Sequence, residues 1–362
     1  MSVSWSTITR TQTQSNVVKY GTSPTSLNMT GAGDSRNFTV DSGRQWSTHV
    51  ANMTGLTKGQ RYYYKVGDDK GAVWSKVFNF KAPTDEKPTP GKPELHIVYG
   101  DMGASHAYSL CADCGSAAAC ECKNQTIGVV SERSADMILH LGDFAYNMDT
   151  DNGVNGDIFM RNIEQIAAYI PYMTSVGNHE NSAKALAHYT ESFRNMPSNS
   201  GSIASANGLS RNNWWYSWNA GLVHYVAIST ELYFGVGPSD ACSQQFAFLK
   251  ADLAKANRNR DKQPWIVVHG HRSIYCSCDG DCDGSATTVR DGIPGKCGGL
   301  EELFFKNGVD FFLNGAFVPP AAHDLARSGG TAHSRLWERE DLVSYVHLSI
   351  GLVLMSHRWL TP

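Results

Sequence analysis

Over the first 80 or so residues apolar and polar positions alternate in short runs: "SVSWSTI", "SNVVKYGTS", "RQWSTHVANMTGL", "QRYYYKVGDD" and "VWSKVFNFKA". Alternate side chains of a strand point to opposite faces, so a period of two predicts half-buried strands. Turn-forming stretches between the runs predict a small antiparallel β-sandwich over residues 1–82. The next segment, "PTDEKPTPGKPE" (83–94), holds four prolines among mixed charges and predicts a linker. From residue 95 the pattern changes to longer apolar runs alternating with helix-like stretches, as in "ELHIVYGD", "DMILHLGD" and "FMRNIEQIAAYI". Near-continuous apolar strands between amphipathic segments predict a layered α/β domain over 95–315, with its sheet covered on both faces. The last segment, 316–362, lacks that alternation and predicts no continuation of the domain.

Size agrees with two units, since a chain of 362 residues exceeds one small core. Charged residues make up 18% and the formal net charge is -3, which provides no basic field and excludes nucleic acid as a partner. No run reaches the roughly 18 apolar residues that span a bilayer, so no membrane partner is expected either. Nine cysteines fall into "CADCGSAAACEC" (111–122) and "CSCDGDC" (276–282), with Cys242 and Cys297 apart. A zinc knuckle lacks its second correctly spaced pair, and disulfides are the better reading. Sequons at Asn28, Asn37, Asn52 and Asn124 point the same way, to glycosylation and an oxidising compartment. No signal peptide precedes the first strand pattern, which predicts that Met1 is not the true start.

The predicted strands end in donor side chains. "HIVYGDMG" places Asp101 just past a strand, and "MILHLGDFAY" places Asp143 there with Tyr146 three residues on. "YMTSVGNHE" ends in Asn178, His179 and Glu180, and "PWIVVHGHR" ends in His269 and His271. Singly, each has a bland reading as a turn or a satisfied polar residue. Four together, at the carboxyl ends where open α/β sheets carry ligands, point to a metal centre. Carboxylate, amide oxygen and imidazole suit first-row ions, and donors from so many strands suit two ions with a bridging carboxylate, the geometry of phosphoester hydrolysis.

In order, "GDMG", "GDFAY", "GNHE" and Val268 to His271 resemble the first four metal-binding motifs of the purple acid phosphatases, within the calcineurin-like metallophosphoesterases. The first 80 or so residues also resemble that family's fibronectin-type sandwich. The resemblance implies Fe(III) on Asp101 and Tyr146, Asp143 as bridge, and a divalent iron, zinc or manganese on Asn178 and His271. It implies a catalytic His179 that orients phosphate and protonates the leaving oxygen, and it assigns His269 no metal. The implied activity is hydrolysis of small phosphate monoesters at acidic pH by a metal-bound hydroxide, in a secreted or vacuolar/lysosomal protein.

The pattern breaks at the fifth motif. The family's Gly-His-x-His should follow "VDFFLNG", but Gly315 is followed by Ala316, Phe317 and Val318. Two of seven ligands are missing, and the abrupt loss of the match predicts a shifted reading frame or retained intron from Ala316. His323 has neither the spacing nor, after Pro319 and Pro320, the path to substitute. Two alternatives follow: a catalytically impaired or purely binding protein, and a diesterase or pyrophosphatase.

Overall fold

The computed structural model describes residues 1–7, 16–39, 43–70, 73–84, 88–89, 93–104, 135–181, 186–201, 212–275, 283–315, 344–347 and 350–354. The alternation over the first 82 residues becomes one antiparallel path of seven strands: β1 (Ser2–Thr7), β2 (Val17–Gly21), β3 (Met29–Thr39), β4 (Gln45–Asn52), β5 (Arg61–Asp68), β6 (Val73–Trp74) and β7 (Phe78–Lys81). The order is β1-β4-β3-β2-β5-β6, with β7 also on β5. Strand β3 pairs with β2 through Met29–Ala32 and with β4 through Gly33–Thr39, so it passes from one side of the unit to the other. Gly31 and Gly33 stand at this switch, where a Cβ would collide with the carbonyls of Asn52 and Val50. The alternation in β5 puts Tyr62, Tyr64 and Val66 into a core with Val18, Tyr20, Phe78 and Phe80.

This unit is bonded to the α/β unit at several points. The Tyr64 hydroxyl donates to Ala168 O at 2.7 Å. Arg194 donates to the Asp34 carboxylate at 2.8 Å and to Thr48 O at 3.1 Å.

Two sheets form the second unit. One has the order β10-β9-β8-β18, from β8 (Leu95–Tyr99), β9 (Met137–Leu141), β10 (Tyr172–Ser175) and β18 (Ile350–Leu354). The other has the order β11-β12-β13-β16-β17, from β11 (Tyr216–Ala220), β12 (Val223–Ala227), β13 (Trp265–Gly270), β16 (Phe311–Asn314) and β17 (Ser344–His347). Strands β8, β9 and β10 are mutually parallel, as are β12, β13, β16 and β17. The helices are α1 (Val154–Ala167), α2 (Ala187–Ser192), α3 (Ala241–Asn257), α4 (Asp283–Asp291) and α5 (Leu300–Lys306). A hairpin of β14 (Gly292–Ile293) and β15 (Cys297–Gly298) precedes α5.

The apolar strands are covered on both faces, as expected, and the cover differs on the two sides: the other sheet on one and helices on the other. Met137, Leu139 and Leu141 of β9 meet Val223, Tyr225, Val267 and Leu313 of the other sheet. Ile138 of β9 and Ile266 and Val268 of β13 point outward, into the core that includes Phe159 and Ile163 of α1 and Leu249 and Leu253 of α3. All residues of β8, β9 and β12 are buried, and a run without alternation reads the same whether a sheet or a helix covers it.

The tail also departs from expectation. Strand β17 extends one sheet beside β16, and β18 pairs antiparallel with β8. The segments "SYVH" and "IGLVL" are β-branched and apolar enough to pair, which the search for continued alternation passed over.

Cys242 and Cys297, which stand apart in the sequence, form a disulfide. It joins the first turn of α3 to β15 across 55 residues. The remaining cysteines lie outside the described residues. Closing a loop of this length removes unfolded-state entropy worth about 4 kcal/mol, and measured values run at about 2–4. The double variant Cys242→Ser/Cys297→Ser is expected to lose that much stability in urea unfolding, and an unchanged midpoint would count against the bond.

Candidate metal centre

Each predicted donor follows a strand end, and the parallel strands bring their carboxyl ends to one place. Asp101 lies beyond β8, Asp143 beyond β9, Asn178 beyond β10 and His271 directly after β13. Asp101, Asp143 and Tyr146 adopt φ of 57°, 53° and 50°. Non-glycine residues avoid this left-handed region, and single residues kept there concentrate at functional sites.

One donor atom each from Asp101, Asp143 and His271 lies within 4.8 Å of the others. Tyr146 joins them by donating its hydroxyl to Asp101 Oδ1 at 2.8 Å. Asn178 Oδ1 is 3.0 Å from His271 Nε2, which is 3.4 Å from Asp143 Oδ2. All five predicted ligands thus form one connected group. His271 Nδ1 donates to Leu141 O at 2.8 Å, which aims Nε2 at the group.

The electrostatics fit a cation. Burial pushes the Asp101 carboxyl up to about 7, with Asp143 adding to the rise. Burial works against a charged His271, yet the Asp143 carboxylate outweighs it and pushes the imidazole up to about 10. Asp143 is correspondingly held below the usual carboxylate range, mainly by His271 against the effect of burial. Oxygen donors, a phenol and an imidazole are also the right chemistry for first-row ions.

His179 sits at the open edge. Its backbone N–H donates to Asp143 Oδ1 at 2.9 Å, its ring packs at a tilt against Tyr146 with centroids 4.6 Å apart, and Nδ1 is 3.0 Å from Asn147 Oδ1. His269 is elsewhere: its Nδ1 is 3.2 Å from Ser175 Oγ, and burial pushes the ring down to about 3. It packs edge-on against Trp218, away from the donor group.

Sequence reasoning assigned no role to Glu180. Its carboxylate accepts N–H bonds from Asp143 and Gly177 at 2.8 Å and from Phe144 at 2.9 Å. These bonds hold the turns that present Asp143 and Asn178. Burial and Asp143 push its carboxyl up to about 8, while the three N–H donors favour the anion. Its place in "GNHE", two residues after Asn178, was the only signal available. Glu180→Ala leaves three buried N–H groups unpaired and is expected to cost at least about 3 kcal/mol. A thermal melt of the metal-free chain tests this, and an unchanged melting point would remove the role.

The missing fifth motif can be located. Gly315 N–H donates to His271 O at 2.9 Å, and a Cβ on Gly100 would lie 2.8 Å from the Gly315 backbone. Gly315, the residue before the expected motif, therefore lies against His271 and Gly100.

Of the glycosylation candidates, Asn28, Asn37 and Asn52 are exposed, and Asn124 lies outside the described residues. Among the described residues no helix is long and apolar enough to cross a membrane.

Residues 1–82 match the purple acid phosphatase N-terminal domain, and residues 97–315 match the calcineurin-like phosphoesterases. Acid phosphatase type 7 of Homo sapiens is 37% identical over 86% of this chain and 65% of its own length. "Probable inactive purple acid phosphatase 9" of Arabidopsis thaliana is 31% identical over 84% of this chain and 46% of its own. The structure of a purple acid phosphatase from yellow lupin (Lupinus luteus) seeds superposes with a TM-score of 0.57 at 22% identity. That match covers 87% of this chain and 55% of the lupin chain, and shows a shared fold. Two stacked sheets carrying their donors at strand ends define a metallophosphoesterase. The chain belongs, within the calcineurin-like phosphoesterases, to the purple acid phosphatases. It spans about two thirds or less of the length of these relatives.

Proposed function

We propose that this protein hydrolyses small phosphate monoesters under acidic conditions at a pair of metal ions. Fe(III) is assigned to Asp101 and Tyr146, the bridging position to Asp143, and a divalent iron, zinc or manganese to Asn178 and His271. The observation that carries this reading is the convergence of five side chains from four strand ends on one connected group, with Asp143 and His271 buried at its centre. When bound, the ions would activate water for in-line attack on phosphorus and offset the phosphoryl charge.

The chain's own residues do the rest. His179 stands beside the donor group with its ring partly open to solvent, in reach of a phosphate oxygen and of the ester oxygen that leaves. As the P–O ester bond breaks, the departing alkoxide takes a proton from this imidazole. Tilted packing against Tyr146 and the contact with Asn147 restrict the ring's rotation. The disulfide and the exposed sequon asparagines support a secreted or vacuolar/lysosomal setting.

A second reading, an impaired or purely binding protein, is favoured by one observation. Gly315 is bonded to His271 O, and the sequence continues with alanine where the family has histidine. Reconstitution with iron and zinc, followed by an aryl phosphate assay at pH 5 with and without a chelator, decides between the two. Chelator-sensitive release of phosphate supports the hydrolase. A chain that holds two ions and releases none supports the second reading.

A further inference from the structure

We propose that the N-terminal β unit positions the Tyr146 loop, so that Trp46 and Asn155 act as positioning residues for the metal centre. This rests on the reading of Tyr146 as a ligand. The loop from Tyr146 to Gly153 joins β9 to α1, and Tyr146, Asn147, Asp151, Asn152 and Gly153 all have positive φ. Four of the five are not glycine, so the loop's conformation is unfavourable in isolation and requires outside restraint.

The restraint on Tyr146 itself comes from Asn155. Its amide nitrogen donates to Ala145 O at 2.7 Å and to Asn147 O at 3.1 Å, spanning the tyrosine on both sides. Asn155 lies in the first turn of α1, and that turn is held from the other unit. Trp46, in β4, donates its indole N–H to Asp157 Oδ1 at 2.8 Å. Arg44 pairs with the other oxygen of Asp157, stacks at 4.6 Å on the Trp46 ring and reaches Asn152 O at 3.4 Å.

The Trp46 ring also closes on the loop directly, since a Cβ on Gly153 would collide with it. On its other side stands His188, 5.5 Å away, which bonds Asp149 at 2.9 Å. The loop is therefore gripped at Asp149, Asn152 and Gly153 by groups that converge on a single tryptophan. The tertiary path runs from Trp46 through Asp157 and Asn155 to the peptides flanking Tyr146, and from its hydroxyl to Asp101.

The competing account is that Trp46 only fastens the two units together. Tyr64→Phe serves as the control, because it removes a bond between the units at the opposite end of α1, on Ala168. The readout is amide hydrogen exchange of the segment 144–153 in the full, metal-free chain. Trp46→Phe, which loses one hydrogen bond, should speed exchange there about tenfold, and Asn155→Ala, which loses two, by at least as much, while Tyr64→Phe leaves it unchanged. Arg44→Ala replaces Trp46→Phe if that variant fails to fold. Wild-type exchange in both variants, or equal acceleration by Tyr64→Phe, overturns the proposal. A ferric titration of Tyr146→Phe tests the underlying reading separately: affinity equal to wild type removes the tyrosine as a ligand without touching the exchange result.

Discussion

The double variant Ala316→His/Val318→His is expected to bind metal more than 100-fold more tightly than the parent and to hold two ions per chain. The expectation follows from where β16 ends. It runs parallel to β13, with Asn314 opposite Gly270, and the next residue, Gly315, donates its N–H to the carbonyl of His271. Side chains introduced immediately beyond that point start beside a proposed ligand of the second ion. Each imidazole adds an inner-sphere bond, and disturbing even the partners behind such ligands changes affinity or activity by about 10–100-fold. Metal analysis after equilibrium dialysis measures the gain, and a ferric tyrosinate band in the visible should strengthen with it. A double variant that binds no better than its parent means that the chain after Gly315 turns away from the site.

Asp143→Ala is expected to have the opposite effect, abolishing stoichiometric binding of both ions and any hydrolysis that depends on them. Asp143 is the most central of the five donors: 3% exposed, in the cluster with Asp101, 3.4 Å from His271, and bonded to the His179 N–H. Its loss removes the one carboxylate assigned to both ions, so affinity should fall by more than about 100-fold at each site. A metal-free signature should accompany it. The elevated proton affinity of His271 comes from Asp143 working against burial, so the variant imidazole should titrate well below about 10. Imidazole resonances followed against pH report this without any metal. Retained binding of two ions would contradict the bridge, and an unmoved His271 would contradict the electrostatic account of the site.

The five proposed donors could be picked out in the sequence because each stands in a local motif. A strand followed by a glycine and a polar residue places that residue at the strand's carboxyl end wherever the strand lies, and short motifs such as "GDFAY" and "GNHE" identify the chemistry. Glu180 and Trp46 were not legible, because their roles come from partners distant in the chain. Glu180 reaches back 37 residues to Asp143, and Trp46 reaches 111 residues forward to Asp157. No periodicity or spacing records such contacts. The disulfide between Cys242 and Cys297 is of the same kind, since either could have paired with another thiol.

By itself, the sequence indicated most of the strands, a linker at the prolines, five candidate donors and the absence of the two histidines expected after Gly315. These depend on local backbone preference and on which atoms a side chain carries. Tertiary structure decided that the apolar strands form two stacked sheets, that residues 344–347 and 350–354 extend them, and that the donors share one buried space. It also decided which residues restrain the donors. The physical reason is that burial, proton affinity and strain arise from groups brought together across the fold, and a carboxylate becomes a site for cations only when other buried donors surround it.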